Sequence, residues 1–191
     1  MSIDPSGRGK DECAYSVVYM LHGHIYLMAS GTVKGYDEKS LTRLSMVAKE
    51  HDVHEVIIES NFGDGMFSAL FTPFLKRNHP TTIEEVRSTG QKEARMIDTL
   101  EPVISNHKLI VDKKVIENDY KSIQHLPIEQ RRQYSLFYQI SHLTRDRGSL
   151  RKDDRIDALS MAVARFSEQM AKDAQEAVRE AQTERLEPRA T

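Results

Sequence analysis

Hydrophobic and polar positions up to residue 111 follow patterns that predict strands and helices in turn. Residues 14–21 and 25–33 are two strand-like runs, and the turn His22–His24 between them predicts an antiparallel hairpin. The β-branched run 56–58 predicts a short buried strand that ends directly at Glu59. Apolar spacing predicts helices over 40–50, 66–75 and 94–104, with further short strands over 1–4, 82–86 and 109–111.

The order of these elements predicts an α/β fold. A hairpin meander followed by alternating strands and helices is typical of a mixed sheet flanked by helices. The pattern assigns no element to residues 113–150, although their apolar side chains must be buried somewhere. A final apolar stripe predicts a helix that begins near Asp154, with its buried face formed by Ile156, Leu159, Val163 and Phe166.

The last 25 residues differ in character from the rest of the chain. Residues 167–191 hold almost no large apolar side chain, so little in them needs burial. We therefore expect a single domain over 1–166, followed by a polar helical extension or tail over 167–191. Because nothing precedes the strand predicted over 1–4, we also expect this chain to be part of a longer protein.

Composition narrows the class of protein. The 191 residues carry 27 Lys and Arg against 29 Asp and Glu, a net charge of −2, which excludes a uniformly basic chain but allows a local basic patch. Cys13 is the sole cysteine, so an internal disulfide or a multi-cysteine zinc site is excluded. No apolar run approaches the roughly 18–20 residues of a membrane span, and the first residues lack a signal peptide pattern. We expect a soluble intracellular protein.

Four acidic residues are candidates for a metal site. Asp4 and Glu59 end predicted strands, while Asp154 and Asp157 share one face of the last helix at i, i+3 spacing. If the strands that carry Asp4 and Glu59 are parallel neighbours, these two acids stand side by side, and the helix can add Asp154 and Asp157. Crowded carboxylates repel one another, and Mg²⁺ or Mn²⁺ relieves that repulsion. Two such ions about 4 Å apart support phosphodiester hydrolysis.

Each of these acids also has a simpler explanation. Asp4 can begin a turn with Pro5, and Glu59 can face solvent at the end of its strand. The acids of the last helix, including Asp153, can be N-terminal residues favoured by capping and the helix dipole.

Several segments resemble the nuclease half of the large terminase subunit of short-tailed tailed phages, over about residues 1–166. The clearest is Asp154-Arg-Ile-Asp157-Ala-Leu, which matches the Asp-x-x-Asp-Ala-Leu pattern of resolvases. The resemblance implies an RNase H-like fold with a mixed sheet of five or more strands. It places Asp4 on the first strand and Glu59 on the fourth, and it makes both helix acids metal ligands. The other matching segments are Met1–Glu12, Ile58–Met66, Glu85–Glu93, Ile97–Pro102 and Tyr134–Gln139.

The resemblance also implies a function. The chain would be a Mg²⁺- or Mn²⁺-dependent endonuclease, with two ions, that cuts concatemeric viral DNA during packaging. Its partners would be double-stranded DNA, the portal, the small terminase subunit and an N-terminal packaging ATPase of the same protein. That ATPase is absent from this chain, since Gly7-Arg-Gly-Lys10 lacks the spacing of a P-loop. The expected location is the host cell cytoplasm, transiently on the procapsid, with no membrane contact.

Cutting DNA requires phosphate contacts, and basic residues flank the candidate acids. We predict that these contacts come from backbone recognition rather than base reading, although each residue taken alone can simply be solvated. The candidates are Arg8, Lys10, Arg87, Lys92, Arg95, Arg145, Arg147, Arg151, Lys152 and Arg155.

Two other functions remain open from the sequence. The chain can be a non-catalytic module that docks on DNA or a portal, in which case the acids are structural and no metal binds. It can also be a stand-alone nuclease of the Holliday-junction resolvase type, which predicts a stable dimer and a preference for four-way junctions.

Overall fold

The computed structural model describes residues 1–5, 12–60 and 65–167. Their strands form one sheet of six. In chain order, β1 to β6 are Ser2–Asp4, Cys13–Leu21, His24–Val33, Glu55–Glu59, Thr82–Val86 and Leu109–Val111. The spatial order is β5-β4-β1-β2-β3-β6.

The sheet is mixed, as the sequence predicts. Strand β2 pairs antiparallel with both β1 and β3, while β1–β4, β4–β5 and β3–β6 are parallel pairs. The β2–β3 hairpin turns through His22 and Gly23, whose φ angles are 50° and 73°. Positive φ at both central residues suits the right-handed twist of the two strands, which explains the tight two-residue turn.

Seven α-helices cover the sheet within the described part of the chain. The first six, α1 to α6, are Glu38–Glu50, Met66–Asn78, Lys92–Ser105, Lys113–Ser122, Ile128–Arg131 and Leu136–His142. The seventh, α7, spans 154–167 and begins where the apolar stripe predicts. The segment 113–150, which the pattern leaves unassigned, holds α4, α5, a 3₁₀ turn at Arg132–Tyr134 and α6.

Two hydrophobic cores lie on opposite faces of the sheet. Val17 belongs to one core and its neighbour Val18 to the other, and adjacent strand residues point to opposite faces. Helices α1 and α2 fill the first core, while α3, α4, α6 and α7 fill the second. Across the second face, the buried Ser2 hydroxyl donates a hydrogen bond of 2.6 Å to the Ala158 carbonyl, which ties β1 to α7.

The structure leaves one sequence prediction outside its range. Residues 168–191 are beyond the described part of the chain, so a domain limit at 166 with a tail over 167–191 stays a prediction. Among the residues it does describe, every helix is too short or too polar to cross a membrane.

Candidate metal centre

The parallel pairing of β1 and β4 brings two acidic residues together. Ser2 lies opposite Ile57 and Ile3 opposite Ile58, so Asp4 and Glu59 follow side by side at the same edge of the sheet. The preceding residues Ile3 and Ile58 are fully buried, which fixes the register of the two strands.

The first turn of α7 adds a third carboxylate. One oxygen from each of Asp4, Glu59 and Asp157 lies within 4.8 Å of the other two. The side chains of Glu59 and Asp157 are only 11% and 3% exposed. We call these three residues the carboxylate cluster. Asp154, the first residue of α7, is not in this cluster, although its charge reaches Asp4.

Crowding in the cluster changes the acidity of Asp4. Burial and the negative charge of Asp157 together raise the pKa of Asp4 from 3.8 to about 8, although Lys92 opposes the shift. Without a cation, the cluster therefore holds a proton on Asp4 at neutral pH. A bound divalent cation would replace that proton.

Two cations from the first turn of α3 face the cluster. Lys92 Nζ lies 3.0 Å from Asp153 Oδ2 and 3.1 Å from Asp157 Oδ2. Burial lowers the pKa of Lys92, but the charges of Asp157, Asp153 and Asp4 outweigh it, so the net pKa is raised. Arg95 Nη2 donates a hydrogen bond of 3.1 Å to Asp157 Oδ1 and lies 3.9 Å from Glu59 Oε1.

The residues present fit a divalent cation. Within the described residues, Asp157 Oδ2 is paired with the Lys92 ammonium at 3.1 Å. Lys92 and Arg95 are two positive charges that face four carboxylates, those of the cluster and Asp153, so a divalent cation would offset negative charge that remains at the site. Three carboxylates are hard oxygen ligands, which Mg²⁺ and Mn²⁺ prefer.

The basic residues predicted to contact DNA differ in their exposure and in their partners. Arg87, Arg147 and Arg151 are exposed, and Lys152 Nζ lies 5.7 Å from the centre of the Tyr134 ring. Arg145 is exposed but pairs with Asp98 at 2.7 Å. Lys92 and Arg95 face the carboxylates, and their contact with DNA stays a prediction. Arg8 and Lys10 lie outside the described residues.

The structure contradicts the predicted DNA contact of Arg155. Its side chain is 3% exposed, and Arg155 Nη1 donates a hydrogen bond of 2.7 Å to the buried carboxylate of Asp119. It therefore cannot reach a DNA phosphate in this structure. Its place on the apolar face of α7, beside Ala158 and Leu159 at i+3 and i+4, is the signal that predicts burial.

Sequence reasoning also missed three residues around the site. Asp153 places its carboxylate against Lys92, so it is more than an N-terminal helix acid. Asp119 and Gln139 are buried polar residues that contact the first turn of α7. Neither follows a catalytic motif, and the only signal for Asp119 is its position four residues after the buried Val115.

The fold matches solved viral nuclease domains. The human cytomegalovirus terminase nuclease domain superposes with a TM-score of 0.59 at 15% identity, over 85% of this chain and 80% of that one. The nuclease domain of the large terminase subunit gp2 of bacterial virus Sf6 gives 0.54 at 12% identity, over 85% and 86%. The chain therefore shares the fold of these domains.

Sequence comparison identifies the family. The family model "Terminase Bacteriophage T7, Ribonuclease H-like domain" matches residues 3–109. The chain is 46% identical over 173 residues to the large terminase subunit of Enterobacteria phage T3, which covers 90% of this chain and 30% of that protein. The chain belongs to this family of terminase RNase H-like domains, which confirms the resemblance and the RNase H-like fold that it implies. It spans about a third of the length of that relative.

The carboxylate cluster predicts an unusual pH dependence of stability. The folded pKa of Asp4, about 8, lies above its unfolded value of 3.8, so the folded state binds more protons between these values. The free energy of unfolding should therefore fall as pH rises from 4 to 8, by at most about 1.4 kcal/mol per pH unit from this group. Urea unfolding without metal should show this fall, and Asp4→Asn should remove it. The control Glu38→Gln, at an exposed position in the first turn of α1, should keep the wild-type slope.

Arg155 is predicted to act on stability. Arg155→Met leaves the buried Asp119 without its cation, and breaking a buried pair in this way costs about 3–5 kcal/mol. Urea unfolding of Arg155→Met against the exposed-site control Arg151→Met measures the loss. Equal stability of the two variants would contradict the buried-pair assignment.

Proposed function

We propose that this chain is a Mg²⁺- or Mn²⁺-dependent endodeoxyribonuclease that cuts concatemeric viral DNA during genome packaging. The observation that carries the proposal is the carboxylate cluster, with three ligand oxygens within 4.8 Å at the edge of the central strands. Membership of the terminase nuclease family supports DNA cutting as the activity. Related solved domains support the metal, since the cytomegalovirus domain was soaked with Mn and a structure of the Sf6 domain contains manganese.

The chemistry assigned to the metal is hydrolysis of a phosphodiester bond. Two bound divalent ions would lower the pKa of an attacking water and stabilise the leaving 3′ oxygen. Asp4, Glu59 and Asp157 would hold the ions, with Asp154 as a fourth ligand. Lys92 and Arg95 would hold the acids in place and keep the negative charge of the site from repelling the DNA backbone.

DNA would approach across the exposed arginines beside the start of α7. Arg147 and Arg151 lie in the segment between α6 and α7 and are exposed, and neither pairs with a carboxylate of residues 1–5, 12–60 or 65–167. Contacts of this kind recognise the backbone and carry no base sequence information. Within the full subunit we propose the portal, the small terminase subunit and the packaging ATPase as partners, in the host cytoplasm and transiently on the procapsid.

The direct test is nicking of supercoiled plasmid by the chain with Mn²⁺ or Mg²⁺. Glu59→Gln and Asp157→Asn should each lower the nicking rate by about 100-fold or more, because loss of a ligand should exceed the 10–100-fold effect of an outer-shell partner. The surface controls Glu101→Gln and Asp52→Asn should keep the wild-type rate. Wild-type nicking by both cluster variants would refute the assignment, and metal-independent DNA binding without cutting would favour the docking module instead.

The DNA path makes a separate prediction. In a Glu59→Gln background, Arg147→Gln with Arg151→Gln should weaken duplex binding and lower the slope of log affinity against log salt by about 2, since each phosphate contact contributes about 0.9. Fluorescence anisotropy of a labelled duplex over a salt series gives the slope. Lys39→Gln with Lys49→Gln removes the same charge from α1 on the opposite face and should leave the slope unchanged. An equal effect of the two double variants would show that only net charge matters.

A further inference from the structure

The first turn of α7 is held from outside the helix. The first hydrogen bond of the helix runs from the Asp157 N–H to the carbonyl of Asp153, the residue before α7, at 2.9 Å. The N–H groups of residues 154–156 therefore have no acceptor within the helix and need partners from elsewhere. This turn carries Asp154 and Asp157, so whatever satisfies it also affects where those acids lie.

Gln139 supplies one of the missing partners. It is 1% exposed on α6, and its Oε1 accepts a hydrogen bond of 3.0 Å from the Ile156 N–H. Its Nε2 donates a hydrogen bond of 3.0 Å to the Gln133 carbonyl, which fixes the orientation of the amide. At the same helix start, Asp153 Oδ2 lies 3.0 Å from Lys92 Nζ, so this oxygen faces the cation beside the cluster.

Arg155 supplies a second anchor on the same turn. Its Nη1 donates hydrogen bonds to Asp119 Oδ1 at 2.7 Å and to Ser122 Oγ at 2.9 Å, both on α4. Asp119 is fixed in turn, since it accepts hydrogen bonds from the Leu136 N–H at 2.9 Å and the Ser135 hydroxyl at 2.6 Å. All the charged atoms in this anchor are nearly or fully removed from solvent.

We propose that Gln139, together with the Arg155–Asp119 pair, positions the metal ligands of α7. The anchored residues 155 and 156 lie between Asp154 and Asp157, so the two anchors set the rotation and depth of the turn that faces β1 and β4. Metal coordination tolerates displacements of only about 0.2 Å, so small shifts of this turn reach the ligand geometry. The inference rests on the proposed metal-dependent function and adds residues that touch neither metal nor DNA.

A purely structural role makes a different prediction. If Gln139 only stabilises the fold, its loss lowers the free energy of unfolding and leaves the metal affinity of the folded protein unchanged. If it positions Asp157, its loss lowers metal affinity under conditions where the protein is still folded. The conservative change that keeps only the acceptor separates the two further, because it preserves the contact to the Ile156 N–H.

The experiment is titration of the chain with Mn²⁺ by calorimetry, with urea unfolding of each variant in parallel. Gln139→Met keeps the volume and removes the acceptor, and it should weaken Mn²⁺ binding by about 10–100-fold. Gln139→Glu keeps an oxygen facing the Ile156 N–H and should restore most of that affinity. Val47→Ala, in the core on the other face of the sheet, should lose stability and bind Mn²⁺ as the wild type does.

The outcomes distinguish this inference from the proposed function. Wild-type Mn²⁺ affinity in Gln139→Met, with binding lost in Asp157→Asn, would overturn the positioning role and leave the nuclease proposal intact. Absence of Mn²⁺ binding to the wild-type chain would overturn both. If Gln139→Met does not fold, Ser122→Ala decides the question. It removes one hydrogen bond of the Arg155 anchor, so an affinity about fivefold lower supports positioning and an unchanged affinity refutes it.

Discussion

The parallel pairing of β1 with β4 is the interaction on which the site depends. Strand β1 has only three residues, yet it lies in the middle of the sheet, between β4 and β2. Ser2 and Ile3 are completely buried, and their partners Ile57 and Ile58 are nearly so. Because both strands run in the same direction and end together, the two acids that follow must share one edge. A slip of one residue would separate them and turn Ile3 out of the first core, toward the face that α7 covers.

That pairing creates an electrostatic cost that the neighbouring helices offset. Burial and the neighbouring carboxylates both disfavour the charged form of Asp4, which raises its pKa to about 8. Helix α3 contributes Lys92 and Arg95, and α7 directs its N-terminal end, the positive end of its dipole, toward the same point. The balance is incomplete, since these two cations face four carboxylates, those of the cluster and Asp153. A divalent cation would offset the remaining negative charge.

Hydrophobic patterns in the sequence correctly predict strands and helices that bury one face or both faces against the core. They do not predict elements whose packing depends on polar contacts between residues far apart in the chain. The β2–β3 hairpin, the strand that ends at Glu59 and the start of α7 all follow from periodicity and turn residues. Segment 113–150 does not, because α4 and α6 pack through Asp119 and Gln139, which are buried by partners far away in sequence. No local pattern reveals a partner 36 residues away, as Arg155 is from Asp119.

The same reasoning changes how the basic residues of the chain should be interpreted. The basic residues of 145–155 lie near the acids in sequence, which suggested DNA contact for all of them. In the structure they differ, because some face the core or pair with a carboxylate and others are exposed. Arg155 faces inward and neutralises a buried acid, Arg145 is held by Asp98 on the surface, and Arg147 and Arg151 are exposed. The net charge of −2 is then a poor guide to DNA binding, because arginines such as Arg155 and Arg145 are paired with carboxylates of the same chain. A phosphate backbone is attracted most strongly by cations that are not paired in this way.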